Sequence, residues 1–406
     1  MDYTALERAV ERDAALRRKR SLQPVGGKGD KLFPPTYPEE RRGQGPRHVF
    51  ERRRIDGQDV WCVLLDSVQS QANRLEESLL AAIRDGGVTV PYISVDFSKA
   101  DLAGISEITS LDAPHRVYDA ILRDSSLGNQ PFMKSDLGVQ LAEAKPGNAT
   151  ALLEASPTAL LFGAWHSTGG GGGFGAKFPR ALVSEIVAVG VPVEDTPPDP
   201  RSGEVEIRTS GRRTGSRIDP LGVLRRVEVF KSETGWDIDK TRAGKGAKAA
   251  RPSEINHGNI APTVQPLGIT CDHAEHMAVL SFAGLRRLGF GSPDKDRVAR
   301  AFLAALGIVA LTEQDARGYA LRSRCDLVCD GPGPFELVHP DGSTEALAVD
   351  RDAARALYAA ALAAATKAGF KLLGDPTRLV PQPKLVEIVR RSQTLALEGE
   401  GGDGEA

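Results

Sequence analysis

The run "DVWCVLLDS" passes without a break into "VQSQANRLEESLLAAIRDG", and this switch of period constrains the fold more than any other feature of the chain. A short apolar run suits a buried strand, and the following segment puts Val68, Leu75, Leu79 and Ile83 on one side of a helix that Gly86 stops. "EHMAVLSFAGLRRLGF" repeats the pattern, while "DRVARAFLAALGIVAL" and "DRDAARALYAAALAAATKAG" predict alanine-rich helices. "PYISVDF" and "PTALLFGAW" are expected as further strands, and "FPRALVSEIVAVG", with proline near its first turn, as a helix. The alternation predicts an α/β or α+β fold with two such units, as in a split βαβ plan.

Between these elements the chain changes character. "PVEDTPPDPRSGE" is a proline-rich break, "RTSGRRTGSRIDPLG" a basic loop or hairpin, and "KTRAGKGAKAARPSEINHGNIAPTVQPLG" a long segment with little apolar periodicity. Segments of this length in a compact protein bind something or remain solvated insertions. The net charge is -2, yet Arg208, Arg212, Arg213, Arg217, Arg225 and Arg226 face only Asp219 within their stretch, an excess of about +5. The tail "LEGEGGDGEA" carries four acids and no base and is expected to be disordered. No run reaches the roughly 18 apolar residues of a membrane span, and the charged start lacks a signal peptide's apolar centre, so a cytoplasmic protein is expected. Cys62, Cys271, Cys325 and Cys329 lack paired metal-site spacing and read as reduced structural thiols.

Five consecutive glycines, Gly169 to Gly173, mark a backbone that something approaches closely. A P-loop would follow its last glycine with Lys and Ser or Thr, whereas Ala176, Lys177 and Phe178 follow Gly175. Gly170, Gly172 and Gly175 match a dinucleotide fingerprint, with Asp195 about twenty residues on, but the loop from His166 to Lys177 is too long for that tight turn. A polymer cradle uses the composition better. Bare N–H groups bond phosphates, Lys177 and Arg180 add charge, and Trp165, Phe174 and Phe178 offer faces for stacking or anchor the loop to the core. "CDHAEHM" places His273 and His276 three apart without the H-E-x-x-H pattern, and no G-x-S-x-G elbow or paired-acid arrangement supports catalysis by Glu185 with His166 or Ser167.

Three separated stretches, "LDSVQSQANRLE", "SPTALLFGAWHSTGGGGGFGAKFPRALVSEIVAVG" and "ARPSEINHGNIAP", resemble the CRISPR-associated RAMP backbone subunit of type I-U (type I-G) systems, the Cas-seven-type subunit of Cascade. His166 departs from that pattern, where an aspartate or similar residue is expected. The resemblance implies an α+β fold: a ferredoxin-like, RNA-recognition-motif palm over residues 59–390, with finger and thumb insertions at about 98–150 and 195–266, a basic N-terminal arm at 1–58 and an acidic tail at 391–406. It implies a noncatalytic subunit without cofactor or metal. Its partners would be the CRISPR guide RNA, copies of itself, other Cascade subunits and, through the guide, a target DNA strand, with no membrane. A RAMP endoribonuclease and a nucleotide-binding enzyme remain as alternatives, and Asp101 and Asp112 are the loop acids to test for cleavage.

Carried onto this sequence, the RNA-binding residues are Ser70, Gln71, Asn73 and Arg74; Trp165, His166, Ser167, Thr168, Gly170, Gly171, Gly172, Gly173, Lys177, Phe178 and Arg180; the cations Arg212, Arg213, Lys245 and Lys248; and Asn256, His257 and Asn259. Helix capping by Ser67 and Ser70 and a turn at "EINHGNI" that needs no ligand stand beside those roles.

Overall fold

The computed structural model describes residues 1–38, 47–166, 177–195, 207–215, 227–232, 235–255 and 263–399. It divides into two compact units, Met1–Pro192 with Ile269–Val386, and Val193–Gly268 with Glu387–Ala406.

The first unit is built on a nine-stranded antiparallel sheet. Its strands are β1 (Ala15–Pro24), β2 (Phe50–Ile55), β3 (Gln58–Asp66), β4 (Leu182–Val189), β5 (His273–Ser281), β6 (Tyr319–Arg322), β7 (Cys325–Cys329), β8 (Phe335–Val338) and β9 (Thr344–Leu347). The spatial order is β6-β7-β1-β5-β4-β3-β2, with β8 joining β1 at the latter's N-terminal end and β9 pairing with β8. Helices α1 (Tyr3–Arg12), α2 (Val68–Arg84), α3 (Pro293–Arg317) and α4 (Arg351–Lys367) complete the unit's main frame, a mixed α+β architecture.

Alternation along β5 explains the layering. Ala274, His276, Ala278 and Leu280 are buried while their neighbours are only partly covered, so one sheet face carries the core. Helix α3 lies on that face, since a methyl group added at Gly307 would sit 3.5 Å from Leu280 and 3.6 Å from Leu182. Ser292 caps α3, Pro293 follows at its first position, Asp294 and Asp296 favour its N-terminus, and Gly318, with φ +86°, ends it. On the opposite face Arg17, Lys19 and Arg53 pair with Glu336, Glu275 and Glu185, so those cations are compensated within the sheet.

Several segments depart from the expected elements. "FPRALVSEIVAVG" forms strand β4, because Val183, Ile186, Val187 and Val189 suit a strand paired on both sides, with β3 and β5, better than a helix. "PTALLFGAW" is a short helix, Thr158–Phe162, followed by the two-residue strand Ala164–Trp165. Pro157 tolerates the helix start, and burial of every residue from Thr158 to Phe162 removes the polar-apolar alternation that distinguishes a strand. Residues 1–58 supply α1, β2 and the centrally placed β1, and the helix Pro383–Gly399 runs through residues 391–399 of the expected tail. The remaining tail residues lie outside the described ones.

In the second unit Val193–Asp195 pairs with Ile207–Thr209, Arg213–Gly215 with Thr263–Gln265, and Val229–Ser232 with both Gly235–Asp237 and Lys248–Ala250. The two strands of the basic stretch therefore pair elsewhere and do not form a hairpin with each other. Among the described residues no helix is long and apolar enough to cross a membrane.

Candidate nucleic-acid interface

The glycine run is held at its base by a small ribbon. Ala164–Trp165 pairs antiparallel with Lys177–Phe178, bringing Trp165 opposite Lys177. Gly163 enters the ribbon at φ +83°, where an added methyl would meet the Phe178 carbonyl oxygen at 3.0 Å, so glycine suits both the turn and the approach. The two aromatic residues divide their roles: Phe178 is buried and anchors the ribbon, whereas Trp165 is 62% exposed. His166 is buried and stacks on Tyr118 with ring centroids 4.8 Å apart and planes within 6°. Burial, with a smaller push from Arg123, holds its pKa below the ordinary histidine value, so near neutral pH it stacks as an uncharged ring.

Beside this ribbon lies a cleft of about 380 Å³. Helix α2 contributes Gln69 and Asn73, the loop before the Arg116–Tyr118 turn contributes His115, and Lys177, Phe178 and Arg180 come from the ribbon and its exit. Arg116 also lines the cleft and has the left-handed φ of +55°. Its Nε and Nη2 clamp both oxygens of buried Glu76 at 2.8 and 2.7 Å, and its Nη1 donates to the Gly163 carbonyl at 3.2 Å. Its guanidinium also lies 5.6 Å from the centre of the Phe162 ring.

Burial pushes the Glu76 carboxyl up to about 7, although Arg116 pulls it down. Arg180 is held below the ordinary arginine value by desolvation first and by the Arg116 charge second. Lys177 and Arg180 are exposed, and among the described residues neither forms an ion pair. Two guanidiniums and an ammonium thus line one concave surface, and the exposed indole of Trp165 stands opposite Lys177 in the adjoining ribbon. Such a surface is chemically suited to a phosphate-bearing chain, with the cations meeting phosphate and the indole meeting a base.

The first helix has a different internal logic. Asp66, fully buried at the end of β3, receives Ser70 Oγ at 2.8 Å, Gln71 Nε2 at 2.7 Å, Arg74 Nε at 2.9 Å and Arg322 Nη2 at 3.3 Å. Ser70, Gln71 and Arg74 are therefore turned into the fold, leaving Asn73 as the residue of "SQANR" expected at RNA that faces the cleft. Ser67 caps α2 by accepting from Ser70 N.

In the second unit, Arg212 bonds Glu194 at 3.0 Å, and Arg213, Lys245 and Lys248 are exposed. Ser167, Thr168, Gly170, Gly171, Gly172, Gly173, Asn256, His257 and Asn259 lie outside the described residues. His273 and His276 point to opposite faces of β5, as their odd separation in a strand requires. Among the described residues no group of His, Cys, Asp and Glu is arranged to hold a metal ion.

Sequence reasoning missed Arg116, His115 and Gln69. The available signal was Glu76, a carboxylate beside Leu75 and Leu79 on a helix that packs into the core, which demands a cationic partner.

Fold and cleft together define an α+β protein with a cationic groove beside a glycine-rich loop. Residues 16–193, which include the whole cleft, match the family model described as CRISPR-associated protein GSU0053. The similarity is to a CRISPR-associated family and spans less than half of the 406-residue chain. No curated protein matches the chain.

Proposed function

We propose that this chain is a noncatalytic guide-RNA-binding backbone subunit that polymerises along the CRISPR RNA in a type I-U (type I-G) Cascade complex. The carrying observation is the cleft in which Lys177 and Arg180, without ion-pair partners among the described residues, stand beside Arg116, with exposed Trp165 opposite Lys177. Cations and bare backbone address phosphate and the indole addresses any base, so such a surface binds RNA without reading its sequence. Sequence specificity then belongs to the guide, which pairs with the target DNA strand.

Strand order favours a ferredoxin-like palm for this role. In chain order β1, β4, β5 and β7 are four strands whose spatial order is β7-β1-β5-β4, all antiparallel, with α2 between the first two and α3 between the last two. That is the 4-1-3-2 arrangement of a ferredoxin-like sheet. On this reading the segments 98–150 and 195–266 act as finger and thumb, and neighbouring copies and other Cascade subunits engage the palm.

The test is to coexpress the chain with a CRISPR RNA, wash at high salt and read the ratio of absorbance at 260 to 280 nm together with particle mass. Protected RNA in a multi-copy assembly is expected, with both lost on replacing Lys177 and Arg180 by alanine. A monomer free of RNA would overturn the reading.

A further inference from the structure

A second cleft, of about 610 Å³, opens between the end of α3, the loop Pro332–Pro334 and the residues leading into α4. Its floor is an ion cluster with an odd charge. Arg18 bonds Asp315 through Nη1 at 2.6 Å and Nη2 at 3.1 Å, and Arg20 Nη1 reaches the same carboxylate at 2.8 Å. Tyr319 OH donates to Asp315 as well, so both carboxylate oxygens are fully engaged. Two guanidiniums on one carboxylate leave a positive charge beneath the cleft.

The free edge of that charge belongs to Arg20. Its Nε approaches Cys329 Sγ at 2.8 Å and its Nη1 is taken by Asp315, which leaves Nη2 without a partner among the described residues. Gly333 packs on the arginine stem so closely that an added methyl would stand 2.9 Å from Arg20 Cγ, fixing the side chain in place. Asp350, the nearby lining acid, is committed to capping α4 by accepting from Ala353 N at 2.8 Å. Pro332, Pro334, Ala348 and Val349 give the walls apolar surface, beside Thr312 and Arg351, whose Nε lies 3.9 Å from Asp352.

We infer that this cleft binds a carboxylate carried on an apolar stem, with the anion on Arg20 Nη2 and the stem against Pro334 and Val349. Two guanidiniums sharing the one Asp315 carboxylate leave an excess positive charge at the half-buried Arg20, which favours an anion. A single Arg20 edge on the floor, with Arg351 held near Asp352 and apolar surface on the walls, suits a single carboxylate better than a nucleic-acid backbone, whose successive phosphates need several exposed cations. The carboxylate can come from a free organic acid or from an acidic side chain flanked by apolar residues.

Calorimetric titration of the full chain with hexanoate, hexanamide, inorganic phosphate and the peptide acetyl-Leu-Glu-Leu-amide tests this. Saturable binding of hexanoate or the peptide is expected, with hexanamide weaker by about tenfold because it lacks the charge. The tighter of the two carboxylates identifies the source. Val349→Trp, which fills the cleft without touching the ion cluster, should abolish binding, and Arg20→Gln should weaken it by about tenfold or more. RNA affinity should stay unchanged in Val349→Trp, which separates this cleft from the Lys177–Arg180 site. Failure of both carboxylates to saturate, tighter binding of phosphate than of either, or undiminished binding by Val349→Trp would overturn the inference.

Discussion

Arg116 holds Glu76 by two parallel bonds of 2.8 and 2.7 Å in the wall of the cleft that Arg180 enters from the other side. If the cleft binds RNA as proposed, the pair should couple that binding to pH. Because burial raises Glu76 to about 7, the carboxylate cancels the Arg116 charge at pH 8 and leaves it uncancelled at pH 6. RNA affinity should therefore rise as the pH falls from 8 to 6, by about two- to fivefold. Glu76→Gln should bind at both pH values as the wild type does at pH 6. Stability follows the same sign: a carboxyl raised on folding stabilises most below its ordinary value of 4.5 and loses that contribution as pH rises through about 7. Filter binding and thermal melts of both proteins across this range check the two slopes, and parallel pH profiles would remove Glu76 from the account.

Lys177 and Arg180 are exposed cations without ion-pair partners among the described residues, so their loss leaves no buried group unsatisfied. Lys177→Ala and Arg180→Ala should each weaken RNA binding by about 1 kcal/mol and lower the log-log salt slope by about 0.7, while melting temperature hardly moves. The effect should be uniform across RNA sequences. A change confined to some sequences would instead point to base readout.

Elements β3, α2, β5, α3 and α4 all occur where the sequence places them, α2 through the spacing of its apolar face and α3 through its alanine-rich length, although Ala301 to Gln314 are buried all round. Two shorter segments were not legible. Thr158–Phe162 is buried throughout, and β4 ends in the continuous apolar run Ile186–Val189, so over these few residues no period separates helix from strand. Strand β1 hid for the opposite reason, since "LRRKRS" reads as a solvated basic run until Asp315 and Glu336 arrive from distant elements to neutralise it. The ribbon part of the candidate site was legible because Trp165, Lys177 and Arg180 flank the glycines. Arg116 depends on Glu76, forty positions away, and no local pattern announces that pairing.

His276 sits at the centre of the buried polar chain that joins three strands to α3. Its Nε2 lies 2.6 Å from Ser184 Oγ and its Nδ1 3.1 Å from Tyr319 OH, while Tyr319 spends its own proton on Asp315. With the Tyr319 proton on Asp315, Nδ1–H donates to Tyr319, and a neutral ring then has Nε2 accepting the Ser184 proton at 2.6 Å in preference to Gln71 Oε1 at 3.2 Å. Replacing His276 with leucine removes one bond from each partner, while Ser184 keeps Gln71 Oε1 at 3.2 Å and Tyr319 keeps Asp315, and should cost about 1–3 kcal/mol at pH 8. Burial holds this imidazole well below its ordinary value of 6.5, so the neutral ring stabilises the fold above that pH and loses its contribution as pH falls. The gap between wild type and His276→Leu in chemical denaturation should narrow from pH 8 to pH 5; a constant gap would contradict an imidazole held neutral by burial.

The last expectation concerns chemistry. With magnesium present, the RNA-bound assembly should cut neither its guide nor a complementary RNA. Of the two loop acids that could serve, Asp112 already accepts from Thr109 N at 3.0 Å and Thr109 Oγ1 at 2.7 Å, which makes it a turn-closing group. Asp101 is exposed in a left-handed turn at φ +51°, a conformation aspartate tolerates for local reasons. A lone carboxylate lacks the second ligand set or adjacent base that phosphodiester cleavage draws on. Labelled complementary RNA incubated with the assembly should stay intact, and Asp101→Ala should match the wild type in RNA retention and in stability. Regularly spaced fragments that vanish in Asp101→Ala would make this chain an endoribonuclease and displace the scaffold reading, because they would require a reacting acid at each protomer along the guide.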